Sequence, residues 1–224
     1  TGSENQETQG VSIRLADIHD FTAKLKQPAL RGHLREYISW RRAVRKARKD
    51  HRQPPSMPRI GPISINLDLS TACNFACTHC IDWDALNLPQ RHEHQELLDS
   101  LRELAARGLK SVILLGGGEP TLYPGFQEVV RVLKTELRLQ VAVVTNGSRN
   151  EQIAEVADLF DTGDWVRLSL DAGTEQTFEA MHRPKGNGIR LEEICERASL
   201  IKQAGPKVQL GYSFVITWRG AHRG

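Results

Sequence analysis

From residue 63 onward the chain alternates between two hydrophobic rhythms. Short apolar runs of strand length occupy 63–69, 111–115, 141–144, 165–170 and 208–216. Between them, apolar residues recur at helical spacing at about 92–107, from 124 on, at 153–160, 174–181 and 191–204. In 92–107 the stripe is Leu97, Leu98, Leu101, Leu104 and Ala105, with Gly108 as the stop. Pro124 opens the next helix, which buries Phe126, Val129, Val130, Leu133 and Leu137. Gly205-Pro206 stops the last one. Five nearly continuous apolar strands with helices between them predict an α/β fold with a parallel sheet. Right-handed crossovers would curl that sheet into a (β/α) barrel or part of one.

The first 60 residues read differently. Their start is polar. Phe21, Leu25, Leu30, Leu34, Tyr37, Ile38 and Val44 then fall at partly helical spacing, interrupted by Pro28. Pro54-Pro55 and Pro58 make a stiff linker. The expected organisation is an N-terminal extension of two or three helices over 1–60, a partial barrel over 61–217 packed against it, and a tail over 218–224.

Composition narrows the class. At 224 residues and 39% hydrophobic the chain can bury one substantial core. No stretch approaches the roughly 20 apolar residues of a membrane span, and residues 1–6 carry no apolar signal region, so a cytoplasmic protein without membrane contact is expected. Three of its four cysteines crowd within eight positions, unlike a secreted disulfide framework; thiolates serving a metal fit better. The net charge of +3 conceals a basic run, with seven Lys/Arg and one acid between Arg41 and Arg52. Such a run is either the solvated face of a helix or a contact for an acidic peptide or nucleic acid.

In parallel α/β architectures ligands bind where strands end. The first predicted strand is followed by Cys73, Cys77 and Cys80, the second by Gly116-Gly117-Gly118-Glu119-Pro120, and the third by Thr145-Asn146-Gly147. The fourth closes with Ser169-Leu170-Asp171, and the fifth ends near Thr217. Every unusual cluster therefore lies on one rim. Three thiols spaced C-x3-C-x2-C fall one short of the four ligands of a structural zinc or a fully protein-held iron–sulfur cube. Glycines let backbone approach a ligand closely, and Glu119 offers a negative charge to a cationic amine.

These motifs, with the run Leu67-Asp68-Leu69-Ser70-Thr71-Ala72-Cys73, resemble the radical S-adenosylmethionine (SAM) family over about residues 60–216. The resemblance implies that Cys73, Cys77 and Cys80 hold three irons of a [4Fe-4S] cluster and that SAM chelates the fourth. It implies reductive cleavage of SAM to a 5′-deoxyadenosyl radical that abstracts hydrogen from a substrate. Gly117, Gly118, Glu119 and Pro120, led by Gly116, match the element that holds the SAM amino group. His79 stands where the family has an aromatic residue against the adenine, with a zinc ligand as its other reading. Ser169 and Asp171 correspond to ribose- and carboxylate-binding positions; alternatively Asp171 caps the helix starting near Thr174. Asn146 either faces the cofactor or makes an Asn-Gly turn with Thr145. Arg183 is assigned to the SAM carboxylate.

No side chain acting on the substrate is assigned. The substrate is read as a peptide or protein, with RNA or a small molecule as the other readings, and the electron donor as a flavodoxin or ferredoxin. Cys195 is expected as a small buried residue on a helix stripe, and His92 and His94 as exposed. Lacking the sixth strand and C-terminal extension common in the family, the chain reads as a truncated or divergent member. The non-enzymatic rival is a zinc module using the three cysteines with His79 or His92.

Overall fold

A computed structural model describes residues 28–89, 92–186 and 188–215. It divides into two compact units, Thr1–Ile60 and Gly61–Gly224.

In the first unit, a 3-10 turn at Pro28–Leu30 leads into helix α1, Arg31–Lys49. Lys46, Arg48 and Lys49 in its last turn complement the negative end of the helix dipole. Only Val44 is buried along α1, so its basic residues lie on solvated faces. After it, Trp40 Nε1 donates to the Pro55 carbonyl at 3.2 Å, tying the proline segment to the helix. The helical reading of 18–27 lies outside the described residues.

The second unit holds strands β1 (Ser64–Asp68), β2 (Ser111–Leu115), β3 (Gln140–Thr145), β4 (Trp165–Ser169) and β5 (Gln209–Ser213). All pair in parallel in the order β1-β2-β3-β4-β5. Between them run α2 (His94–Ala106), α3 (Phe126–Arg131, widening into a π turn at Val132–Glu136), α4 (Asn150–Ala154), α5 (Glu175–His182) and α6 (Leu191–Ala204). This is the singly wound sheet of a partial barrel.

Alternation along the strands sorts residues onto two faces. Val112, Leu114, Val143, Val166 and Leu168, at 0–1% exposure, pack on Leu101, Phe126, Val129, Ile153, Ile194 and Ile201 of the helices. Each such fully buried side chain contributes about 1.5–3 kcal/mol. The other face is polar and open: Asn66, Asp68 and Arg167 on it are exposed. At the sheet's lower end Asp164 is fully buried, accepts from the amides of Val141 and Asp161 at 2.7 Å, and pairs with Lys134 Nζ at 2.6 Å.

Several boundaries differ from expectation. The helix expected at Pro124 starts at Phe126, because Gly125 is its N-cap and Pro120–Leu122 forms a separate 3-10 turn. The helix expected over 153–160 splits into α4 and a 3-10 turn at Ala157–Leu159. Val156 leaves helical geometry between them, with φ −125°. The fifth strand is shorter than 208–216, and its expected end at Ile216 and Thr217, like the tail, lies outside the described residues.

Candidate active site

The cysteine loop leaves β1 with Leu69 and Phe75 sunk into the core, at 1% and 0% exposure. On one side it is stitched to the end of α5. The Ala76 amide donates to the carbonyls of His182 and Arg183 at 3.1 Å, Thr78 N to Met181 O at 2.8 Å, and Lys185 N to Asn74 O at 2.7 Å. On the other side it receives the glycine loop, whose Gly118 and Glu119 amides donate to Ser70 O at 2.9 Å and Ala72 O at 2.8 Å. That approach requires glycine. A Cβ on Gly118 would sit 2.1 Å from Ala72 O, whereas one on Gly117 would meet nothing nearer than Thr71 Cγ2 at 3.9 Å. Gly118 is thus needed for the backbone crossing, and Gly117 leaves space beside it.

None of the three loop cysteines is in a disulfide, and all are partly buried. Burial, then the neighbouring Cys73 and Cys80, pushes the Cys77 thiol up to about 12. Burial also raises Cys73, with Glu119 and Cys80 adding to it. Mutual repulsion of this kind is what a shared metal centre would neutralise. Around a single zinc, with Zn–S near 2.3 Å, thiolate sulfurs would approach to about 3.8 Å. Among the described residues, the only trio of possible metal donors within 4.8 Å of one another is His79, Asp171 and His182, not the cysteines. At least one pair of loop sulfurs therefore lies more than 4.8 Å apart, wider than one zinc ion would hold them.

Beneath the loop lies a histidine–aspartate group. His182, 1% exposed, points Nδ1 at Cys77 Sγ, 3.2 Å away, and Nε2 at the Leu170 carbonyl. Burial lowers its pKa, so the ring is neutral; Nε2–H donates to Leu170 O, and Nδ1 accepts from the thiol. His79 Nε2 lies 2.8 Å from Asp171 Oδ2, and Asp171 Oδ1 accepts from Val215 N at 2.6 Å. Burial raises the Asp171 pKa, but the His79 hydrogen bond, the Val215 amide and the nearby imidazoles outweigh it, leaving the pKa below its ordinary value. Asp171 does not cap α5; Thr174 does, accepting from Thr177 N at 3.3 Å. A φ of +43° takes Asp171 out of the extended backbone that runs through Ser169, so strand alternation does not place the two side chains on one face. His79 Nδ1 is buried with no hydrogen-bond partner among the described residues, an orphan donor or acceptor.

Glu119 is 2% exposed and already accepts four hydrogen bonds: from Thr121 N at 3.1 Å, Thr121 Oγ1 at 2.7 Å, Thr145 Oγ1 at 2.7 Å and Asn146 N at 2.7 Å. Burial raises its pKa against those donors. It ties the ends of β2 and β3 together. Asn146 does two jobs: its Oδ1 accepts from Ser148 N at 2.9 Å, the turn anticipated, and its Nδ2 donates to Asn74 Oδ1 at 2.9 Å, inside the cysteine loop. Ser169 Oγ lies 3.5 Å from Ser213 Oγ at the top of the open face. Gly116 precedes this group and Pro120 is buried within it.

The structure therefore brings together the cysteine loop, the 116–120 loop, Asn146, His79 and Asp171. Arg183 caps α5 with a left-handed φ of +46° and is exposed, its guanidinium making no hydrogen bond or ion pair among the described residues. Cys195 is exposed, against expectation, because the buried stripe of α6 runs through Ile194, Ala198 and Ile201. His92 is exposed as expected, but His94 is only partly so, bonded to Tyr123 Oη at 2.9 Å. A cavity of about 480 Å³ lies beside His92, His94 and Tyr123 and touches the cysteine loop only at its start, through Ser70 and Ala72. Sequence reading missed Asn74 and His182; the helix-end run Met181-His182-Arg183 was the one available signal for the latter.

Fold and site together define an α/β partial barrel with three thiols on its first rim loop and a glycine cradle on its second. The chain belongs to the Radical SAM superfamily, whose profile matches residues 67–220. Among its relatives is an S-adenosylmethionine-dependent nucleotide dehydratase of a Thermoplasmatales archaeon, 31% identical over 154 residues, which are 68% of this chain and 52% of that protein. Another is the mycofactocin maturase MftC of Mycobacterium tuberculosis, 34% identical over 160 residues, 70% of this chain and 39% of that one. In fold the chain is similar to Streptococcus suis SuiB bound to precursor peptide SuiA, with a TM-score of 0.59 at 19% identity over 79% of this chain and 37% of SuiB. The chain spans about half or less of the length of these relatives. No helix among the described residues is long and apolar enough to cross a membrane.

Proposed function

We propose that this chain is the catalytic core of a radical SAM enzyme that acts on a peptide or protein. The observation that carries the reading is the coupling of two motifs far apart in sequence: the cysteine loop crosses the glycine loop at Gly118, where a Cβ would strike Ala72 O. Cys73, Cys77 and Cys80 would hold a [4Fe-4S] cluster, and the 116–120 loop with Asn146, His79, Ser169, Asp171 and Arg183 would receive SAM. When bound, these groups supply reductive cleavage of SAM to a 5′-deoxyadenosyl radical. The protein's part is positional. His182 and Leu170 orient the Cys77 side chain, Glu119 fixes the rim loops, and the His79–Asp171 pair sets one wall of the site. A peptide substrate is favoured by relatives such as the mycofactocin maturase and by the fold shared with SuiB. We assign the electron donor to the flavodoxin or ferredoxin class and the chain to the cytoplasm.

The test is anaerobic reconstitution with iron and sulfide, followed by dithionite and SAM. The reading predicts about four irons per chain and accumulating 5′-deoxyadenosine, both lost in Cys77→Ser. A colourless protein with one zinc would overturn it.

A further inference from the structure

Arg167 stands at the centre of β4, on the open face of the sheet, and its side chain is exposed. In register it lies beside Val144 of β3 and Gly211 of β5, one apolar and the other without a side chain. A Cβ on Gly211 would meet nothing within 4 Å, so there is room next to the guanidinium. Trp165, two residues earlier on the same face, lies under it with Cζ 5.8 Å from the ring centroid. No carboxylate among the described residues comes within ion-pair distance. Some arginines of this unit do find acids, as Arg102 does with Glu136 and Asp99 and Arg197 with Glu193; what sets Arg167 apart is its place on the open sheet face over Trp165.

The fold has no need of a cation here. Strand β4 gets its stability from Val166 and Leu168 on the covered face, and an apolar or Thr side chain at 167 would suit a central strand better. Along the strand Arg167 lies roughly 7 Å from Ser169, a position already given to the cofactor site. Aromatic stacking holds the guanidinium plane while its N–H fork stays available, the arrangement that suits bidentate capture of a carboxylate or phosphate. At the β1 side the same face carries Asp68, which with Asp84 lies close enough to Asp82 to raise that carboxyl's pKa after burial, so an anion is favoured only near β4.

We infer that Arg167 anchors an anionic group of the substrate, a carboxylate or a phosphate, on the open face below the cysteine loop. The inference rests on the function proposed above and extends it to substrate choice. Its test is site-resolved modification of the full chain by phenylglyoxal, followed arginine by arginine by mass spectrometry. Tripolyphosphate is the protecting anion in one arm and a pentaglutamate peptide in the other. Arg167 is expected to react at least fivefold more slowly in one arm or both, while Arg190, exposed and outside the sheet, changes less than twofold. The more protective arm identifies phosphate or carboxylate as the source. An unchanged rate at Arg167 in both arms, or equal protection of Arg190, overturns the inference. Protection is read before and after reconstitution. Failure to build a cluster would thus sink the proposed function while still reporting on Arg167; a working cluster without protection would sink this inference alone.

Discussion

Two carboxylates are buried at opposite ends of the same sheet, and the protein treats them differently. Asp164, at the lower end, is met by two amides and by Lys134 Nζ at 2.6 Å. Glu119, at the rim, is met by four hydrogen-bond donors, but no cation among the described residues lies at ion-pair distance. A buried charge without a counter-charge is a cost that a purely structural end of a sheet avoids. The lower end is finished within the chain. The rim retains a buried acid and an orphan imidazole nitrogen, groups that a bound cation or amine would complete. Stability and function have been divided between the two ends.

That contrast can be broken most forcefully at the lower end. Asp164→Ala takes from buried Lys134 its 2.6 Å partner, leaving it only Asp161 at 3.7 Å and the Leu139 carbonyl, and about 3–5 kcal/mol of stability should be lost, read as the midpoint of urea unfolding. A loss below about 1 kcal/mol would mean that the pair does not organise that end.

A second, smaller effect follows from Cys77. Its thiol is raised from 9.0 to about 12 in the metal-free fold. The unfolded thiol ionises first as pH rises, so between about pH 9 and 12 the folded state binds the extra proton and stability falls. Unfolding midpoints of the metal-free chain should decline over that window, and Cys77→Ala should flatten the decline. An identical slope in both proteins would contradict the assignment of burial as the cause.

The smallest change is expected at Glu119. Glu119→Gln keeps an oxygen for Thr121 and Thr145, loses the acceptor facing Asn146 N, and removes the uncompensated charge. Unfolding of the ligand-free protein should shift by no more than about 1 kcal/mol, while SAM affinity, measured by equilibrium dialysis, should drop at least tenfold. A variant as destabilised as Asp164→Ala would place Glu119 with the structural acids instead.

What the sequence disclosed, and what it hid, follows the range of the interactions. Strand runs such as Ser111–Leu115 and the α6 stripe were legible because alternation and helical periodicity are local, and the rim clusters followed from strand ends. Cys195 was misplaced by one position on its helix, where a stripe read by spacing is ambiguous at its edge. The contact of His182 with Cys77 joins residues 105 apart, and that of Asn146 with Asn74 joins residues 72 apart. Neither leaves a periodic trace. Asp164 is an acid in a loop by sequence; only the fold brings Lys134 to it.

The central claim is that three thiols on the first rim loop hold a metal cluster with one position open to SAM. Electron paramagnetic resonance of the reconstituted, dithionite-reduced chain, recorded with and without SAM, tests this most directly. The account predicts a reduced iron–sulfur signal whose g-values move when SAM is added. A cluster signal that SAM leaves untouched, or no cluster signal at all, would contradict it.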